Sequence, residues 1–135
     1  MVYGRVMRRT RRRDLPQNAA MLGAAAVWVH QGLWCKVLSG DPAHREVLAS
    51  VPGLRGRRAQ VATTTLGLAE TALAMAVATR GDRRSVAALQ TALVVMFNAG
   101  GLAVGRQHIA HPARLLVRNG AFLALIWSSV DAAHR

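Results

Sequence analysis

Residues 85–105 read SVAALQTALVVMFNAGGLAVG, a stretch without a single Asp, Glu, Lys or Arg. At a rise of ~1.5 Å per residue, a helix of that length crosses a hydrocarbon core of ~30 Å. A helix on the surface of a soluble domain needs a polar outer face. This one has none. The same exclusion recurs on either side, in residues 19–35, 59–79 and 119–130. The chain has 18 Lys and Arg and 6 Asp and Glu, and these four windows together contain one formal charge, Glu70. Mean hydropathy over all 135 residues is only +0.19, so the distribution of charge, and not its average, argues for a membrane.

The expected fold is all-α, an up-down bundle of four transmembrane helices near residues 18–38, 59–79, 85–105 and 113–131. Ser39-Gly40-Asp41-Pro42 follows the first of them, with Asp41 suited to cap a short interfacial helix that starts at Pro42 and ends before Pro52-Gly53. One domain accounts for residues 18–135, preceded by a basic tail over residues 1–17. The last span is the shortest apolar run, and Arg118 and Asn119 fall in its first turns. Arg118 must therefore snorkel toward headgroups.

The net charge of +12 raises the question of nucleic acid. Arg5, Arg8, Arg9, Arg11, Arg12 and Arg13 lie just before the first span, however, and most other arginines lie in connections. That pattern sets membrane orientation and meets anionic headgroups, so the bilayer is the expected partner and nucleic acid is not. Cleavage after Ala24-Ala25-Ala26, as in a signal peptide, would leave only a few apolar residues, so the first span is read as retained. The basic start places both termini in the cytoplasm. Seventeen arginines against the single Lys36, with abundant Ala, Val and Gly, point to a bacterial genome and hence a bacterial cytoplasmic (inner) membrane. Cys35 is the only cysteine, which excludes an intrachain disulfide or a thiolate metal cluster.

Polar residues inside the spans are the candidates for function. Glu70 lies mid-span, where a carboxylate must be neutral, paired or wet. Counting helical rise from each end puts His30, Gln31, Glu70 and Asn98 at one depth, with Lys36, Arg118 and Asn119 about two turns nearer the outer surface. These four are expected to form a polar pocket in which Glu70 is uncharged or paired with His30. Thr63, Gly67, Glu70 and Ala74 make one small or polar stripe, and Thr91, Asn98, Gly101 and Gly105 another, suited to close helix contact. Trp34 and Trp127 suit interfaces; Trp28 lies deeper, toward the interior. Three roles fit the pocket: packing, binding of a polar head such as a quinone ring, or conduction of protons or ions. Haem is not supported, because His30 is the only mid-membrane histidine while His44, His108, His111 and His134 belong to connections or the tail. No metal-ligand spacing, Ser-His-Asp set or phosphate loop is present, so no catalytic activity of the chain on its own is expected.

Three motifs carry a family resemblance. Trp28-Val29-His30-Gln31-Gly32-Leu33-Trp34-Cys35-Lys36 resembles the first-helix motif of the DoxX-like membrane proteins, a Trp, a Gly-Leu pair and a Lys. Gly67-Leu68-Ala69-Glu70 is similar to their second-helix Gly-x-x-Glu. Pro112 with Arg118-Asn119 resembles their last connection and the Lys-Asn that opens the final helix, with Arg118 where lysine is usual. The resemblance implies a four-helix membrane domain, and in some relatives an association with quinone-dependent sulfur oxidation. Two function classes follow: a membrane subunit or binding module for a quinone- or lipid-like ligand, serving a redox partner, and a small proton- or solute-conducting transporter using Glu70. The half of the bundle beyond Glu70 is apolar apart from Gln90 and Thr91, which favours the first class. Homo-oligomers are compatible with either.

Overall fold

A computed structural model describes residues 18–79 and 82–131. The basic tail, Arg80 and Gly81 of the turn between the middle spans, and the last four residues with His134 lie outside the described residues. Five helices and no strand make up the described part, in accord with the all-α expectation. The first, α1, runs as an α-helix over residues 18–29 and continues without a break as a π-helix over His30–Leu38. It stops where the Ser39 N–H donates to Trp34 O (2.8 Å) and Gly40 takes a left-handed φ of 59°. Asp41 then caps α2, Pro42–Ala49, its carboxylate accepting from the Ala43 N–H at 3.0 Å, with Pro42 in the first turn as expected.

The long helices are α3 (Arg57–Thr79), α4 (Arg83–Val104) and α5 (Pro112–Asp131), with a 3₁₀ turn at Arg106–His108 between the last two. By length and hydropathy, α3 and α4 are fit to cross a membrane. The other two helices depart from the expected pattern for different reasons. α1 changes helix type at His30, and α5 opens with Arg114, Arg118 and Asn119, which interrupt its apolar run.

The chain reverses at two ends, named here basal (residue 18, Asp82 and residue 131) and apical (α2 and the 3₁₀ turn). α1 packs chiefly along α3, and α4 along α5. The two pairs are joined in the basal half by a core of Ala24, Ala25, Trp28, Leu73, Ala74, Val77, Ala87, Val94, Ile126 and Val130. Alanines on α1, α3 and α4 let the backbones approach, and Ile126, wholly buried, fills the space between them. The Phe122 ring meets Trp28 edge-on, centroids 5.6 Å apart. At the basal rim Arg83 donates to Asn18 Oδ1 (3.2 Å) and Ser129 O (3.5 Å).

The exterior is also apolar. Leu22, Val61, Leu68, Met75, Leu89, Val95 and Val117 are all more than half exposed, which suits a hydrocarbon solvent and not water. Both predicted stripes face inward or toward a neighbouring element, and Val95 lies on the outer face. The closest approach within the second stripe is at Gly105, where an added Cβ would stand 3.1 Å from Val47 Cα. At Gly101 the nearest atom, Ile109 Cδ1, would be at an ordinary 3.6 Å.

Candidate functional site

Among the described glycines, the closest approach to a neighbouring helix lies where α1 crosses α3. A Cβ on Gly32 would stand 2.5 Å from Gly67 O and 2.8 Å from Glu70 Cβ. A Cβ on Gly67 would stand 2.7 Å from Gly32 O and 2.8 Å from Lys36 Cβ. The two glycines therefore face each other, and the helices run antiparallel, so each charged residue lies opposite the other helix's glycine. The Lys36 stem folds one turn toward the basal end, and its ammonium donates to Glu70 Oε2 at 2.7 Å and Oε1 at 2.9 Å. A third donation goes to Gln31 O at 3.3 Å. Both side chains are almost wholly buried, 7% and 3% exposed. Removal from water is costly for such a pair and is offset by two short charge-assisted bonds at one carboxylate.

This geometry corrects two expectations. Glu70 is paired with Lys36, and not with His30. Lys36, expected two turns away, reaches Glu70 because its stem is long and because a π-turn advances less per residue than an α-turn. His30 is exposed, its Nδ1 3.8 Å from Cys35 Sγ. Gln31 contributes its backbone carbonyl.

Asn98 and Asn119 form a second polar contact. The Asn119 amide donates to Asn98 Oδ1 at 2.8 Å, while the Asn98 amide donates to Val94 O at 2.7 Å. The expected difference in depth between them does not exist. Asn98 lies seven residues before Gly105 and Asn119 seven after Pro112, so the α4–α5 hairpin puts them level. Trp28 is buried as expected and donates to Gln90 Oε1 at 2.9 Å, a partner that the sequence reading had not given it. Trp34 is 58% exposed, while Trp127, also facing outward, donates to Thr91 Oγ1 at 3.1 Å.

Above the basal core the helix pairs separate around a cavity of about 840 Å³. Its walls are mostly apolar, from Val27, Leu66, Val94, Phe97, Phe122 and Leu125 among others. His30, Gln31, Lys36, Glu70, Asn98, Arg118 and Asn119 supply polar groups, and Trp28 lies at the basal limit. The structure thus brings every predicted pocket residue to one cavity, together with Trp28, Lys36, Arg118 and Asn119; Trp34 is left outside. Two further residues line it that had been placed in connections, His44 of α2 and His108. The capped helix α2 folds back over the apical opening and carries His44 with it, along with Val47 and Leu48.

His44 Nδ1 is buried without a hydrogen-bond partner, 3.6 Å from Asp41 Oδ2. Its pKa lies below the usual histidine value, first through burial, then through the positive charges of Lys36 and Arg118, against which Asp41 acts. His108 Nδ1 stands 3.4 Å from Glu46 Oε2. Among the described residues, no group of three or more His, Cys, Asp or Glu is placed to hold a metal ion.

No curated protein and no solved structure matches the chain. A family model does, over residues 25–127, and its description is the DoxX-like family. The matched span contains the glycine crossing, the Lys36–Glu70 pair and the Asn98–Asn119 contact. Together with the two apolar helices, the match points to a membrane protein. The chain belongs to the DoxX-like family.

Proposed function

We propose that this protein is a four-span protein of the bacterial cytoplasmic membrane with both termini in the cytoplasm. In this reading it is a membrane subunit or binding module that holds a quinone- or lipid-like molecule for a redox partner. The observation that carries it is the cavity. Its volume of about 840 Å³ falls in the range of small-molecule sites, and its make-up, apolar walls with a few convergent polar groups, is typical of them. Conduction through Glu70 is less well supported. The basal core of Trp28, Leu73, Val94 and Ile126 closes the bundle beneath the ion pair, and a conducting path needs polar groups to continue there.

The test is organic extraction of the protein purified in detergent, with chromatographic identification of what leaves it. A near-stoichiometric isoprenoid quinone, or one lipid enriched over the surrounding membrane, is the expected result. An extract that mirrors the bulk membrane would overturn the reading.

A further inference from the structure

We propose that the cavity selects an amphiphile with an anionic head, bound at the apical mouth by Arg118, its apolar part lying along the cavity wall. This rests on the reading of the cavity as a ligand site and adds the charge of the ligand to it.

The charges that face the cavity do not balance. Lys36 and Glu70 neutralise each other, and both carboxylate oxygens of Glu70 already accept from the ammonium. His108 stands beside Glu46. That leaves Arg118 of α5, which lines the cavity and forms no ion pair among the described residues. His44 of α2 lines it too, but its Nδ1 stands 3.6 Å from Asp41 Oδ2, as His108 stands beside Glu46, so it is not counted as a free charge. A guanidinium at the edge of an apolar space favours a carboxylate or phosphate, which it can hold with two parallel bonds. A neutral head would accept hydrogen bonds there and leave the charge uncompensated. The walls from Val94, Phe97, Phe122 and Leu125 make a small hydrophilic anion a poor match, because it would bury no apolar surface of its own.

Calorimetric titration of the full chain in maltoside micelles separates the possibilities, with empty micelles subtracted. The probes are decanoate, decanol and inorganic phosphate. Decanoate is expected to bind at least about tenfold tighter than decanol, and phosphate not measurably. Arg118→Gln should lower decanoate to the level of decanol while leaving decanol unchanged, and Arg118→Lys should retain most of the preference. Arg118 is exposed and outside the packed core, and an unchanged circular dichroism spectrum would verify the fold of both variants.

Equal binding of decanoate and decanol by the native protein would overturn the anion preference and leave the cavity reading standing. A preference that survives Arg118→Gln would remove Arg118 from the site. Phosphate binding as tight as decanoate would overturn the amphiphile. Binding of neither chain compound would overturn the cavity reading itself, and the inference with it.

Discussion

The basal and apical halves of the bundle solve the same packing problem with different residues. In the basal half, alanines on three helices close around Trp28, Ile126 and Val130, and a buried hydrogen bond joins Trp28 to Gln90. In the apical half two glycines bring α1 and α3 into backbone contact, a buried ion pair locks that crossing, and the other helix pair stands away from it around the cavity. A core filled by side chains leaves no room for a guest. A crossing held by backbone contact and one ion pair needs no side-chain filling, so space can remain beside it. Of the residues that carry the family resemblance, Gly32, Lys36, Gly67 and Glu70 are part of the crossing, whereas Trp28 belongs to the basal core.

The most direct way to break the contrast is to remove one partner of the pair. Glu70→Leu leaves the Lys36 ammonium buried beside Gly67 and should cost ~3–5 kcal/mol in unfolding titrations in detergent. Glu70→Gln, which keeps the shape, still removes the counter-charge and should not restore stability. The double variant Lys36→Met with Glu70→Leu should recover most of the loss, since a pair replaced by apolar side chains is often near neutral. If Glu70→Leu alone were as stable as the native protein, the pair would not hold the crossing.

A smaller effect separates the glycine crossing from glycines elsewhere. Gly67→Ala drives a methyl toward Gly32 O, a backbone atom that cannot swing away, and should lower stability by ~1–3 kcal/mol. Gly120→Ala, with nothing within 4 Å of the added atom, should be neutral or stabilising through helix propensity. Equal effects at the two sites would mean that α1 and α3 are not in backbone contact in the native protein.

Much of the helix layout was legible because charge exclusion is a property of the sequence alone, readable without knowing what faces what. The α3 stripe through Gly67 and Glu70 was legible for a similar reason, since it lies on one regular helix. Depth across helices was harder. Counting α-helical rise through His30–Leu38 ignored a π-helix that nothing in those residues announces, and it misplaced Lys36. The Asn98–Asn119 contact, by contrast, could have been found by counting outward from the α4–α5 connection. The arrival of His44 at the cavity was out of reach, because it depends on the direction in which the short helix α2 folds back.

The smallest expected effect tests whether α2 is part of the apical half or merely lies near it. His44 belongs to that helix, and its folded-state pKa is depressed, chiefly by burial and further by Lys36 and Arg118. The unfolded chain should titrate near the ordinary value of about 6.5. Above that pH His44 is neutral in both states and contributes no pH dependence. As the pH falls below it, the unfolded state takes up a proton that the folded state resists, so stability declines until the pH passes the folded pKa, where the loss is complete. His44→Gln should therefore lose less thermal stability than the native protein between about pH 7.5 and about pH 5.5. Identical pH slopes for the two would mean that His44 is free in water, and that α2 does not cover the cavity.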